Sequence, residues 1–192
     1  MCGITGFFGG GMFDENESCR VHLKNMNSAL THRGPDSEGY WFDSSNKIAL
    51  GHRRLAIVDL SSAGHQPMLS CSGRYVMTYN GEIYNNNEIR HELSKSGVGQ
   101  NWRGYSDTET LLAGFDAWGV RETISQVTGM FAVAVWDKEL EHLILVRDRI
   151  GEKPLYYGWQ GSGANKVFLF GSELKALKKH PQFINEIDRG SL

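Results

Sequence analysis

The sequence predicts an α+β domain built from two buried antiparallel sheets flanked by helices. Three observations carry it. The pattern yields roughly eight to ten strand-like runs and four helical ones, joined by hairpin-like connections. Some of the strand-like runs are apolar on both alternating faces, which places them between layers. The 192 residues contain no repeat, low-complexity tract or long linker, so one domain with a sizeable core accounts for them.

Taken in order, residues 2–9 are small and apolar and read as a strand. A loop through Gly9-Gly10-Gly11 and Asp14-Glu15-Asn16 leads to Ser18, a helix cap. From there to Thr31 the apolar residues Cys19, Leu23, Met26 and Leu30 recur at helical spacing, so Cys19 reads as core packing. The polar His32-Arg33-Gly34-Pro35-Asp36 loop follows. Strands are expected at 39–42, 47–51, 53–60 and 74–79, with a break at Gly64-His65-Gln66-Pro67. Asn80-Gly81 reads as a turn ending the last of these. Helices are expected at 86–96 and 106–118, the second opened by a capping box with Ser106 as N-cap and Glu109 at N3. The runs 130–136, 143–146 and 167–170 read as strands covered on both faces, the first two joined by a hairpin turn at 137–141. A short basic-ended helix at 173–179 closes the pattern.

Composition narrows the function classes. Twenty Lys and Arg against 22 Asp and Glu give a net charge of −2, which offers no electrostatic footprint for nucleic acid or an anionic membrane. No apolar run approaches the ~18 residues of a membrane span, and no secretory signal opens the chain. Cys2, Cys19 and Cys71 lack framework spacing, which suggests a reduced, cytoplasmic setting. No Cys/His cluster has zinc-ligand spacing, so no metal site is expected.

Cys2 is the chemical focus. If Met1 is removed, this residue carries a thiol and a free α-amine together. Such groups titrate near ~8.5 and ~7.7–8.0 in model peptides, close enough to exchange a proton at neutral pH. That is the arrangement of an N-terminal nucleophile. The plainer reading is a small buried residue on a strand. Four polar stretches interrupt strand ends: Arg53-Arg54, Asn80-Gly81-Glu82, Ser106-Asp107-Thr108-Glu109 and Arg147-Asp148-Arg149. Each alone has a structural explanation: a solvated arginine, a hairpin turn, a helix start, an ion-pair cluster.

Together they form one ordered set: CGITGFFG, HRGPD, GHRRLAIVDL, QPM, YNGEIYN, SDTE, GMFAVAVWD, RDRIGEKPLYYG and SELKAL. The set resembles the glutaminase domain of glutamine-dependent asparagine synthetases, a class II (N-terminal-nucleophile) glutamine amidotransferase, from Cys2 to about Leu177. The resemblance implies a four-layer αββα sandwich of the Ntn-hydrolase type, one glutaminase domain over 1–192, and removal of Met1. It implies hydrolysis of the glutamine side-chain amide through a cysteinyl thioester on Cys2. The oxyanion donors would be the Asn80 side chain and the Gly81 backbone N–H. The substrate-binding stretch would be Arg54, Leu55, Ala56, Ile57 and Val58, with Arg54 on the α-carboxylate and carbonyls around Ile57 and Val58 assisting. Glu82 and Asp107 would take the α-ammonium. Arg53 is the less fitting carboxylate partner. His32, Arg33 and Asp36 are expected to order a loop near Cys2, His52 and His65 to be structural or surface groups, and Arg147 and Asp148 to support the site or face a partner domain.

No phosphate loop of the SGGxDS type, Walker A or dinucleotide fingerprint occurs. This chain is therefore expected to need no cofactor, with ATP and Mg serving only an absent C-terminal synthetase domain or partner chain; it reads as a fragment of something longer. A homodimer is allowed for the full-length protein. The alternatives are the same chemistry feeding a cell-surface sugar or peptide carboxylate, or a non-catalytic glutamine-binding module if Met1 is retained.

Overall fold

The computed structural model describes residues 1–10, 16–56, 61–97, 102–186 and 190. Along these the chain runs β1 (Gly3–Gly9), α1 (Asn16–Ser28), β2 (Ser37–Asp43), β3 (Ile48–Arg54), β4 (Met68–Leu69) and β5 (Tyr75–Ile83). It continues through α2 (Asn86–Lys95), α3 (Asp107–Trp118), α4 (Val120–Gln126), β6 (Gly129–Asp137), β7 (His142–Arg147), β8 (Tyr156–Gln160), β9 (Val167–Gly171) and α5 (Leu174–Leu177). Sheet A has the order β2-β3-β1-β9-β8 and sheet B the order β4-β5-β6-β7. Every pairing is antiparallel.

Three apolar layers hold this together. On the outer face of sheet A, Phe7, Ala49 and Leu169 meet Cys19, Leu23, Met26 and Leu30 of α1 and Ala176 and Leu177 of α5. On the outer face of sheet B, Tyr75, Met77, Phe131, Val133 and Val135 meet Leu111, Leu112 and Phe115 of α3. Between the sheets lie Ile48, Leu50, Val76, Ala134, Trp136 and Phe170, with Ile4 and Ala132 toward one end. The result is the expected αββα sandwich, and burial of these side chains is its main driving force.

Strand parity assigns the faces. On β3 the even residues Ile48 and Leu50 point between the sheets while Ala49 points at α1. Continuing that alternation, His52 faces inward and donates through Nε2 to the Tyr79 carbonyl of sheet B, 3.1 Å away. Since a carbonyl only accepts, Nε2 carries the proton. This bond stitches the sheets together beneath the cleft described below.

Some local expectations change. Asn80-Gly81 is not a turn: β5 continues to Ile83, with Asn80 registered on Ala132 and Gly81 on Phe131. Glycine is needed there because a Cβ would collide with the Met130 carbonyl oxygen across the ladder. The strands expected at 47–51 and 53–60 are one strand, β3, ending at Arg54; residues 57–60 lie outside the described residues. Helix α1 starts by Asn16, so Ser18 is inside its first turn. The run at 143–146 is an edge strand with half-buried residues, since among the described residues no strand pairs with β7 on its far side. Ser106 does cap α3, but its hydroxyl accepts from Thr108 N, and Glu109 turns to the Arg103 and Gly104 amides instead of closing a capping box. Strands β4 and β8 and helix α4 had no clear sequence signal; β8 is an edge strand of exposed aromatics without polar alternation. The hairpin turn at 137–141 is present, with Asp137 accepting from the Glu139 and Leu140 amides.

Candidate active site

A cleft of ≈ 190 Å³ opens at one end of the sandwich, where the ends of β1, β3 and β5 meet the start of α3. That volume suits a small metabolite rather than a drug-sized ligand. Met1, Cys2, Arg54, Leu55, Ala56, Asn80, Gly81, Glu82 and Asp107 all line it. The structure thus gathers every expected site residue except Ile57 and Val58, which lie outside the described residues.

Cys2 sits just before β1, half-buried, and its thiol faces the backbone of Leu55. Leu55 N donates to Sγ at 3.4 Å, and Sγ lies 3.7 Å from the Leu55 carbonyl. The HRGPD loop holds this end of the chain. Arg33 Nε donates to the Cys2 carbonyl at 3.0 Å, and Arg33 Nη1 pairs with Glu173 Oε1 at 3.0 Å. His32 and Lys175 close on the same carboxylate at 2.9 and 3.1 Å. Burial alone would raise the Glu173 pKa, but hydrogen bonds from Arg33, His32 and Lys175 outweigh it and bring it to about 2. Asp36 accepts from Ala56 N at 2.8 Å and donates its own N–H to the Arg54 carbonyl, shaping the 54–56 segment beside the thiol. Gly34 is required here, since a Cβ would strike the Arg53–Arg54 peptide.

The two adjacent arginines diverge because strand residues alternate. Arg53 points toward α1, pairing with Glu38 at 2.8 Å and donating to the Asn27 carbonyl. Arg54 points into the cleft, donates to the Ser61 carbonyl at 2.8 Å, and lies so close to Gly64 that a Cβ there would overlap the guanidinium.

Across the cleft, the Asn80 side chain is only 2% exposed, and its Nδ2 has no hydrogen-bond partner among the described residues. A buried, unpaired amide donor costs about 1–3 kcal/mol, so it implies a ligand acceptor or a bound water at that point. Asp107 is the first residue of α3, where its charge suits the helix dipole. Its Oδ2 accepts from Tyr79 Oη at 2.7 Å and Ile83 N at 3.0 Å. Burial raises the Asp107 pKa, only partly offset by the Tyr79 and Ile83 hydrogen bonds, and the nearby Glu82 charge adds to the rise.

Sequence reasoning missed several lining residues. Gln66 is buried, accepting from Tyr79 N at 2.6 Å and donating to Thr108 Oγ1 at 3.3 Å, so it braces β5 against α3. The QPM motif was its only signal. Lys153, inside the RDRIGEKPLYYG motif but given no role there, also lines the cleft. Asp148 lies behind the Lys153 loop: its carboxylate accepts from the Phe131, Ile150, Gly151, Glu152 and Lys153 amides. His32 serves Glu173 and His52 joins the sheets; neither lines the cleft. Among the described residues no group of three His, Cys, Asp or Glu could hold a metal ion, and no helix is long and apolar enough to cross a membrane.

A family model described as "Glutamine amidotransferase domain" matches residues 1–192. The chain is 38% identical to glutamine-hydrolysing asparagine synthetase 3 of Bacillus subtilis, over all of this chain and 30% of that one. It is 36% identical to a probable glutamine-hydrolysing asparagine synthetase of Dictyostelium discoideum, over 93% of this chain and 30% of that one. The chain therefore spans about 30% of the length of these curated relatives. In fold it is similar to glutamine phosphoribosylpyrophosphate amidotransferase of B. subtilis, with a TM-score of 0.74, 21% identity, and coverage of 98% of this chain and 46% of that one. By the match over its full length, the chain belongs to the glutamine amidotransferase domain family.

Proposed function

We propose that this chain is the glutaminase domain of an asparagine synthetase, hydrolysing L-glutamine to glutamate and ammonia at Cys2 after Met1 is removed. The observation that carries the reading is the buried, unpartnered Asn80 Nδ2 beside Gly81, in the same cleft as the Cys2 thiol. Two donors at one point opposite a nucleophile are what a developing oxyanion needs.

The chemistry follows from these groups. The Cys2 α-amine takes the thiol proton, and the thiolate attacks the side-chain amide carbon of glutamine. The carbonyl electron pair moves onto oxygen, which Asn80 Nδ2 and Gly81 N–H stabilise. The protonated amine then gives its proton to the departing nitrogen, releasing ammonia and leaving a thioester. Water, deprotonated by the same amine, attacks the thioester and returns glutamate and the free thiol. Arg54 holds the α-carboxylate with its planar fork. Asp107, Glu82 and carbonyls of the 55–58 stretch hold the α-ammonium. Nucleophile, base and donors all come from this chain, so the reading calls for no cofactor here. Ammonia would pass to a C-terminal synthetase domain or partner chain that activates aspartate with ATP and Mg, in a cytoplasmic protein.

The test is ammonia and glutamate release from glutamine by chain whose loss of Met1 is verified by intact mass. Cys2→Ala is expected to abolish release. Turnover by Cys2→Ala at the wild-type rate would reject the mechanism.

A further inference from the structure

The reaction above leaves a buried ammonium in the cleft unused. Lys153 is 6% exposed and lines the cleft beside Met1 and Cys2. Its Nζ has one hydrogen-bond partner among the described residues, the Met1 Sδ at 3.4 Å, and no carboxylate within ion-pair distance. A thioether is a weak acceptor, and a buried ammonium without a counter-charge is costly. The backbone that carries it is nonetheless firmly held. Asp148 fixes the 150–153 loop through four of its amides, Lys153 N included at 2.9 Å. The same carboxylate accepts from Phe131 N, and Phe131 is the ladder partner of Gly81. Arg147 Nε binds the Lys153 carbonyl from the other side at 2.7 Å. The loop is thus anchored to the strand that pairs with the Asn80-Gly81 segment, and it aims a cation at the start of the chain.

The other charges around this point do not cancel it. Arg33 also reaches Met1 Sδ, at 4.0 Å, but its charge is matched by Glu173. Arg54 from the end of β3 adds a second positive charge to the cleft. Glu82 at the end of β5 and Asp107 at the start of α3 line the same cleft, yet neither is within ion-pair distance of Lys153. Among the described residues the hydrogen bonds of the Asp148 carboxylate all come from backbone amides. Tyr79 is committed to Asp107.

Met1 is bonded to the Cys2 nitrogen, and Lys153 and Arg33 meet at its thioether, so the ammonium stands about one methionine side chain from the new α-amine, with that space opened once Met1 is removed. We propose that Lys153 is a tuning residue that keeps the Cys2 α-amine in its free-base form at neutral pH. This rests on the proposed glutaminase reading, in which that amine is the base. The physical cause is like-charge repulsion: a fixed ammonium nearby disfavours a second one. A model-peptide α-amine, titrating near ~7.7–8.0, is mostly protonated at neutral pH, so a lower value enlarges the free-base fraction that can accept the thiol proton. The same charge favours the thiolate once the thiol proton has left.

The test reads the amine directly. Chain lacking Met1 is treated with cyanate from mildly acid to mildly alkaline pH, and carbamoylation of the Cys2 nitrogen is followed by peptide mass mapping. In wild type and Lys153→Arg the midpoint should lie below the model-peptide range, ~7.7–8.0. In Lys153→Met, which keeps the bulk and removes the charge, it should rise by about one pH unit. The acid limb of kcat/KM for glutamine should move with it. An unmoved midpoint in Lys153→Met, or an equal shift in Lys153→Arg, would overturn the proposal. If the midpoint moves while wild type releases no ammonia, tuning stands and the hydrolysis reading fails. If wild type hydrolyses glutamine and the midpoint stays fixed, the tuning alone fails.

Discussion

Asn80 and Gly81 stand inside β5, where all nine residues from Tyr75 to Ile83 are registered on β6. Cys2 and Arg54 stand at the ends of β1 and β3, where the sheet A ladder runs out. Charge-assisted bonds take over on that side: Arg33 on the Cys2 carbonyl, Glu173 on Arg33, and Asp36 on the Ala56 amide. The difference follows from what each flank has to do in the proposed reaction. Oxyanion donors act best when fixed before the charge develops, and a continuous ladder provides that. A nucleophile with a free amine has to be a chain end, which lacks a neighbour on one side and is held by side chains instead. Side-chain ion pairs are weaker and more pH-sensitive than a ladder, so the two flanks should fail differently.

The largest expected effect is on the ladder flank. Asn80→Ala should lower kcat for ammonia release by about 10²–10³, while iodoacetamide still alkylates Cys2 at the wild-type rate. A wild-type kcat in this variant would remove Asn80 from the reaction, and slowed alkylation would show that the flanks are not independent.

Next comes the alternation on β3. A charged hydrogen bond is worth about 1.5–3 kcal/mol, so Arg54→Ala should raise the KM for glutamine by about 10- to 100-fold. Arg53→Ala removes only the Glu38 pair and the Asn27 contact on the α1 side, at about 1 kcal/mol of stability or less, and should leave KM alone. Equal KM changes in the two variants would break the assignment of faces.

His52 couples the two flanks, and its titration tests that coupling. Burial, assisted by the His65 and Arg54 charges, lowers its pKa to about 3, with the Tyr79 carbonyl opposing only in part. The folded value lies below the unfolded one near 6.5, so the unfolded chain takes up the proton first. Stability should be flat in this group above pH ~6.5 and fall at about 1.4 kcal/mol per unit, tenfold in the folding equilibrium, as pH drops toward 3. His180, lowered to about 4 by burial and the His22 charge, adds to the same fall. Urea midpoints across this range measure it; a midpoint that rises on acidification would contradict the neutral, donating His52.

The smallest effect is on the ion-pair flank. Glu173→Gln keeps the side-chain shape but removes the charge that holds Arg33, and should cost about fivefold in kcat, near 1 kcal/mol. Sensitivity of that loss to added salt would sharpen the contrast with Asn80→Ala, whose loss should be salt-independent.

Much of this was legible in the chain itself. The helical spacing of Cys19, Leu23, Met26 and Leu30 placed a core stripe that α1 does bury. The doubly apolar run at 130–136 marked β6, which has both faces covered. Other features were misread for physical reasons. Asn-Gly favours a turn locally, but at Asn80-Gly81 the ladder to β6 outweighs that preference and uses glycine for close approach to Met130. The apolar run at 143–146 looks like a central strand, because composition does not record that, among the described residues, β7 pairs with β6 alone. Lys153 lies within the RDRIGEKPLYYG motif, but nothing there separates a buried lysine from the ordinary solvated one.

The sequence by itself determined the layer type, the helix and strand periodicities, and the chemical identities of a cysteine next to Met1, an Arg pair, an Asn-Gly and a helix-opening aspartate. Those are local properties, set by spacing along the chain. Only the tertiary structure decided that residues 2, 54, 80, 107 and 153 share one cleft, that Arg54 rather than Arg53 faces it, and that a buried ammonium stands beside the chain start. The physical reason is that convergence depends on which faces are buried against which. That pairing is settled by long-range packing of two sheets and leaves no trace at any single position.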